Sequence, residues 1–356
     1  MLKKMLVLIL AAVLMLSACG GKTEKTADPK AKSNENSKTT SEQNPQENQK
    51  KDEYPYHYPL TGIGTNEEPK RRSVAVMINN FPAARPQSGL QKADVTYEVL
   101  AEGDITRFLA IFQSELPEKV GPVRSARDYF INLAKGYDSL YIAHGYSPEA
   151  RQMLMSGYID NLNGIQYDGT LFKRASFRKA PHNSYITFEN IQKGADQRGY
   201  EMDTPPAPLP FMTKDEADKL TGDDGKNVMI SYYHNQSFEV VYEYDDSSKK
   251  YKRYSGGELT ADLDTKEPVL LDNIFIIETD HKIIDSHGRR DINLKSGGNA
   301  YLVQRGVVKK VQWKNIEGRI LPYENGKALN FVQGKTWINI VPTDPGLDEM
   351  VSFHKE

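Results

Sequence analysis

Cys19 is the single cysteine in a chain of 356 residues. One cysteine excludes an intrachain disulfide framework and a thiolate-rich zinc site. No glycine-rich phosphate loop, internal repeat or sustained heptad occurs, so the familiar nucleotide-loop, solenoid and coiled-coil readings have nothing to rest on. The longest apolar run, Met5 to Leu16, falls short of the ~20 residues that a membrane-spanning helix needs. Residues 20–53 contain no aromatic and no β-branched aliphatic side chain. Such a stretch buries too little surface to offset the entropy of ordering it. It reads as a solvated tether, with an r.m.s. span of roughly 30 Å by the flexible-chain rule.

Charge of one sign is lacking as well. The chain has 46 Lys and Arg against 48 Asp and Glu, and loss of a leader containing Lys3 and Lys4 would leave 44 against 48. Nucleic-acid binding rests on neutralising phosphates, and no basic stripe is present to do it, so no nucleic-acid partner is expected. No resident metal or cofactor is expected either.

The first nineteen residues combine a basic start (Lys3, Lys4), a short apolar core and the small residues Ser17 and Ala18 before Cys19-Gly20. That is the build of a secretory signal. The segment Leu16-Ser17-Ala18-Cys19 resembles the lipobox of bacterial lipoproteins. The resemblance implies cleavage before Cys19 and fatty acyl chains, palmitate among them, on its sulfur. At about 0.8 kcal/mol per buried CH₂, two such chains would hold the protein stably to the outer face of the cell membrane.

The expected organisation is a signal peptide (1–18), a lipidated N-terminus and tether (19–70), a mixed α/β domain (71–200), a connector (201–226) and a β-rich domain (227–356). In the mixed region, 74–78, 95–99, 107–112 and 140–143 read as short strands, with 95–99 and 107–112 partly exposed. A helix is expected from Ser125 to Lys135, with Gly136 as its C′ residue. Ser147 and Pro148 fit the N-cap and first position of another helix, and a short helix follows near 188–195. The connector is marked by Pro205, Pro206, Pro208 and Pro210. Beyond it, β-rich runs alternate with turns such as Asn325-Gly326 and Gln333-Gly334. The order of the strands cannot be deduced from this pattern.

Polar groups concentrate from Asn79-Asn80 through Arg85, Gln87, Asp94, Glu98, Glu102 and Arg107 to the run 121–127, then His144 and His182-Asn183. Arg107, Arg124, Arg127 and His144 are the candidate ligand-binding residues, suited to an anion beside a helix start. The alternative is ion pairing of these arginines with Asp94, Glu98, Glu102 or Asp128. His144 follows an apolar strand, where α/β folds place ligand loops. It is also a candidate acid–base catalyst, as Glu98 and Glu102 are as a carboxylate pair for glycoside hydrolysis. Ser125 and Ser147 lack a nucleophile-elbow context and suit helix-start roles. His281 and His287 with Asp280, Asp285 and Asp291 read as an exposed loop rather than a metal cluster. Trp313, Trp337 and Tyr232, Tyr242, Tyr244 and Tyr251 read first as packing and second as a carbohydrate platform.

Several of these runs carry a resemblance. Val74–Asn80, Ala83 with Arg85–Leu90, Ala93-Asp94, Tyr97-Glu98, Thr106–Phe108 and Gly121–Arg127 are similar to the YerB-like lipoprotein family of Gram-positive bacteria. The resemblance implies two adjacent domains of unknown function behind a lipoprotein anchor, and supplies no catalytic residue. The reading that follows is a membrane-anchored, extracytoplasmic protein binding an anionic or polymeric envelope ligand or a protein partner. A cell-wall or phosphoester hydrolase and a purely structural scaffold are the alternatives.

Overall fold

The computed structural model describes residues 54–233 and 235–354. The leader, Cys19 and the tether lie outside the described residues.

The N-terminal region contributes β1 (Val74–Asn79), β2 (Val95–Glu102), β3 (Ile105–Phe112), α1 (Asp128–Lys135), β4 (Leu140–Ala143), α2 (Pro148–Met155), β5 (Asn161–Asn163), β6 (Phe172–Arg174), β7 (Ser184–Thr187) and α3 (Phe188–Arg198). The C-terminal region is almost entirely strand. It gives β8 (Asn227–Ile230), β9 (Val240–Asp245), β10 (Lys250–Ser255), β11 (Asn273–Thr279), β12 (Gly298–Gln304), β13 (Val307–Ile316), β14 (Arg319–Glu324) and β15 (Thr336–Pro342). The fold class is thus a mixed α/β region followed by a mostly β one.

Strands of both regions interleave in one twelve-stranded sheet. Its order is Lys327–Ala328, β14, β13, β12, β11, β15, β2, β3, β1, β4, β5, with Asp223–Asp224 pairing off this path to β13. Late-arriving β15 lies parallel to both neighbours, matching Thr336 to Val95 on one side and to Asn273 on the other. Strands β1, β4 and β5 are also mutually parallel, so their C-terminal ends emerge at one edge.

Alternation of side chains gives the sheet two apolar faces. Val76, Ile78, Phe108, Ala110, Ile274 and Trp337 pack beneath a second sheet carrying β8, β9 and β10, and beside α3. Met77, Tyr97, Val99, Leu109, Ile338 and Ile340 pack against α1 and α2. Residues 95–99 of β2 and 107–112 of β3 are therefore sealed from water, and their expected partial exposure is wrong. Their polar residues had suggested a solvated face, but those side chains are paired inside the molecule.

Local corrections follow from hydrogen bonding. Helix α1 starts at Asp128, not Ser125, because Ala126 donates to the Gly145 carbonyl and Arg127 stays extended. Gly136 ends the helix in a right-handed conformation; its small size matters because a Cβ there would meet the Gly318 carbonyl carbon at 2.4 Å. Ser147 caps α2 through Ala150 N–H, as expected. Asn325-Gly326, with φ of 50° and 80°, makes a tight turn between β14 and Lys327–Ala328. Gln333-Gly334 makes no hairpin: Gly334 donates to the Thr61 carbonyl on the way into β15. Trp313 and Trp337 are buried, as are Tyr232, Tyr242 and Tyr251, so these five pack and Tyr244 sits half-buried beside Tyr251.

Candidate functional site

The polar segment splits into three places. The first is a sealed cluster around Glu98. One Glu98 oxygen accepts from Arg253 (2.8 Å), Trp337 Nε1 (3.1 Å) and Asn339 (3.2 Å); the other accepts from Thr106 (2.9 Å) and Asn80 (3.4 Å). Arg253 also lies over the Trp337 and Phe108 rings, at 4.5 and 5.1 Å. Every acceptor direction of the carboxylate is occupied by a donor, and no path to substrate is left.

The second cluster surrounds Glu102. A register shift between Leu100 and Glu102 inserts Ala101 as an extra residue, which turns Glu102 onto the face opposite Glu98. Its two oxygens accept from Arg107 at 2.8 and 2.7 Å, and Oε1 also ion-pairs with Arg127. Arg107 donates further to the Ser125 carbonyl (2.7 Å). Burial pushes the Arg107 guanidinium down to about 10, still far above neutral pH. Arg107 and Arg127 are thus held by an internal carboxylate, and their expected role as ligand-binding residues gives way to pairing. Glu98 and Glu102 occupy different clusters on opposite faces of the sheet, so they do not flank a common substrate space. Asp94 is a third structural acid, taking the backbone N–H groups of Gln113 (2.6 Å) and Ser114 (2.8 Å) where β3 ends.

The third place lies at the C-terminal ends of β1 and β4. A strap, 121–126, crosses that edge. Asn79 donates to Pro122, Val123 to Ser184, Arg124 to Met77, and His144 to the Arg124 carbonyl, all between 2.7 and 2.9 Å. These bonds fix the Arg124 backbone beside His144 and near His182. Its half-buried guanidinium has no carboxylate partner among the described residues. Burial, and then the charge of Arg107, push Arg124 down to about 10, so it remains a cation.

The surrounding histidines are neutral hydrogen-bonding groups at ordinary pH. Arg174 lies 2.8 Å from His144 Nε2 and can only donate, so Nε2 accepts and Nδ1–H donates to Ser184 Oγ (2.7 Å). Burial, Arg174 and Arg124 lower the His144 pKa against the opposing pull of Asp168. The Phe81 N–H fixes Asn79 Oδ1, leaving Asn79 Nδ2 to donate to His182 Nδ1 at 2.9 Å. The His182 proton therefore sits on Nε2, and burial, Arg124 and Arg178 all depress its pKa. Arg178 donates to the Ala84 and Pro86 carbonyls and to Tyr185, all uncharged. Beside them Phe177 is 62% exposed on the loop between β6 and β7.

Sequence reasoning misses Arg174 and Arg178 and ranks His182 low because they lie at the end of β6 and on the loop after it, 50 or more residues beyond Arg124. His281 is not an exposed loop residue, since both its ring nitrogens are sealed from solvent without a partner. No group of three His, Cys, Asp or Glu side chains suited to a metal ion occurs among the described residues.

With its strap, its two interleaved regions and its β-rich second half, the chain belongs to a two-part family. Residues 60–201 match the "Protein of unknown function (DUF3048) N-terminal domain", and residues 228–338 match the corresponding C-terminal domain. It is 52% identical over 286 residues to "Putative lipoprotein YerB" of Bacillus subtilis (strain 168), covering 80% of this chain and 86% of that protein. The crystal structure of YerB from Bacillus subtilis superposes with a TM-score of 0.78 at 50% identity, covering 84% of this chain and all of that one. Among the described residues, no helix is long and apolar enough to cross a membrane.

Proposed function

We propose that this chain is a lipoprotein on the outer face of the cell membrane, tethered through acylated Cys19, whose strap edge binds an anionic envelope ligand. The observation that carries the reading is the Arg124 guanidinium: half-buried, cationic, without a carboxylate partner among the described residues, and close enough to His144 and His182 to depress both their pKa values. Leaving a partly desolvated cation uncompensated costs stability, and an incoming anion removes that cost. Basic groups spread over β6 and the loop after it, including Lys173 and Lys179, suit an extended phosphate polymer better than a single small ion. Homology to a protein named as a lipoprotein supports the anchor. A binding role is favoured over hydrolysis because Glu98 is enclosed, Glu102 holds two arginines and both ring nitrogens of His144 are engaged.

Titration calorimetry with a soluble glycerol-phosphate polymer and with inorganic phosphate tests this. Arg124→Ala is expected to weaken polymer binding at least ~10-fold, worth about 1.4 kcal/mol. The side chain forms no internal pair, so stability should stay within about 0.5 kcal/mol of the parent. Equal polymer affinity in both proteins would sink the proposed site. For the anchor, metabolic labelling with a fatty acid should mark the parent and leave Cys19→Ala unlabelled and released.

A further inference from the structure

A second feature lies on the α1 side of the sheet, away from the strap. A cleft of about 650 Å³ opens between α1, Tyr158 just after α2, the hairpin Asp280–Leu294 and the turn joining β13 to β14. That volume falls within the ~300–1,000 Å³ usual for small-molecule sites. One wall belongs to the N-terminal family segment, the others to the C-terminal one.

Its floor is bare backbone. Gly136 and Gly318 approach so closely that a Cβ on Gly136 would lie 2.4 Å from the Gly318 carbonyl carbon, and one on Gly318 would lie 2.7 Å from Gly136 Cα. Gly318 also holds φ at +90°, which strains any other residue. The two regions therefore meet without side chains filling the space above them.

The walls carry hydrogen-bonding groups that the fold leaves unspent. Asp291 and Asp128 face the cleft without a cation partner among the described residues, Asp128 already accepting from the backbone at the start of α1, and the Asn132 and Asn293 amide nitrogens make no internal bond there. Tyr158 is 43% exposed, with its hydroxyl fixed by donation to Asn132 Oδ1 at 3.2 Å. Burial, together with the charges of Asp291 and Glu149, raises the pKa of Asp128.

Charge decides what kind of ligand fits. Four carboxylates (Asp128, Asp280, Asp291 and Glu317) stand against three lysines (Lys135, Lys282 and Lys295), so the cleft favours neither a strong anion nor a strong cation. An uncharged ligand with many hydroxyl and amide groups uses the carboxylates and amides as partners. A flat apolar ring face matches Tyr158. A lipid tail would strand these polar groups unpaired.

We propose that this cleft is a saccharide subsite, taking a short uncharged oligosaccharide with one sugar ring against Tyr158 and its hydroxyls bonded by Asp128, Asp291 and Asn132. This site is independent of Arg124: it differs in place, in charge and in ligand class. Occupancy bridges the two family segments, since sugar hydroxyls reach α1 on one side and the hairpin on the other.

The probe is an N-acetylglucosamine tetrasaccharide, with binding followed by titration calorimetry and by saturation-transfer NMR. Saturable binding is expected at millimolar concentration or below. Tyr158→Ala and Asp291→Asn should each weaken it about tenfold, while Arg124→Ala leaves it unchanged. Both cleft variants alter solvent-facing side chains, and an unaltered thermal midpoint will confirm their folding. No saturable binding by the parent protein overturns the proposal. So does binding that both cleft variants retain in full, and so does binding that disappears in Arg124→Ala, which would assign the sugar to the strap edge.

Discussion

Glu98 on β2 and Arg253 on β10 meet at 2.8 Å with both side chains fully enclosed, although 155 residues separate them in the chain. The pair joins the central sheet to the second sheet. Moving two charges out of water is expensive, and their attraction offsets this only because the remaining oxygen lone pairs are satisfied too. Trp337, Asn339, Thr106 and Asn80 supply that satisfaction. Removing one partner leaves the other charge stranded. Arg253→Met should therefore lower unfolding free energy by about 3–5 kcal/mol, while Glu98→Gln with Arg253→Met recovers part of the loss. Urea denaturation of the single and double variants measures this; a single variant with an unshifted midpoint contradicts it.

Glu102 neutralises two cations at once. Its replacement by alanine leaves Arg107 and Arg127 facing each other across an empty carboxylate position, with an expected loss of about 3 kcal/mol. The same vacancy is an anion trap. Chloride or sulfate should raise the melting temperature of Glu102→Ala more than that of the parent. Equal salt responses would show that other groups compensate the arginines.

Anion affinity at the strap should depend on pH. Burial and the adjacent guanidinium groups hold the pKa values of His144 and His182 below the ordinary histidine value, so both are neutral at pH 7.5. A bound anion favours their protonated forms, and linkage then makes binding tighter as pH falls toward 5.5. Protonating His144 also requires Nε2 to release Arg174, whose guanidinium keeps its bonds to Asp168. Affinity measured at pH 7.5, 6.5 and 5.5 should rise stepwise, and His182→Gln should flatten the rise. A flat profile in the parent would separate the histidines from the anion.

His281 gives an opposite lever on stability. Burial, aided by Arg290, lowers its pKa to about 3. A histidine that binds its proton less readily in the folded state stabilises the fold fully above its unfolded value near 6.5. That contribution drains away as pH falls from there toward 3, at up to about 1.4 kcal/mol per pH unit. His144 and His182 act with the same sign, so the comparison must be between proteins. His281→Leu should show a shallower loss of stability between pH 6.5 and 4.5 than the parent. Parallel curves for the two proteins would refute the assignment.

Much of the local structure is legible in the sequence. The Ser147-Pro148 cap, the apolar runs of β1 and β4 and the Asn325-Gly326 turn depend on neighbours within a few residues, where turn and capping chemistry acts. What the sequence hides is which distant groups share a space. Glu98 and Glu102 look alike four positions apart, yet the extra residue at Ala101 sends them to opposite faces. Arg107, Arg124 and Arg127 look like one basic set, but only pairing across the fold separates the neutralised two from Arg124. The β6–β7 loop reaches the strap because β7 lies against residues 119–120 and β6, a contact that neither periodicity nor composition encodes. The cleft above Gly136 and Gly318 is hidden for the same reason: its walls are more than 100 residues apart.

The position of β15 has a bearing on how the molecule is made. A chain delivered from its N-terminus presents β2 and β11 long before residue 336 arrives, yet these two strands have no edge in common until β15 enters between them. Everything synthesised earlier must wait with two raw margins open, each able to pair with the wrong strand or the wrong molecule. Closure of the twelve-stranded sheet is thus the act of β15, and no shorter stretch of the chain completes it.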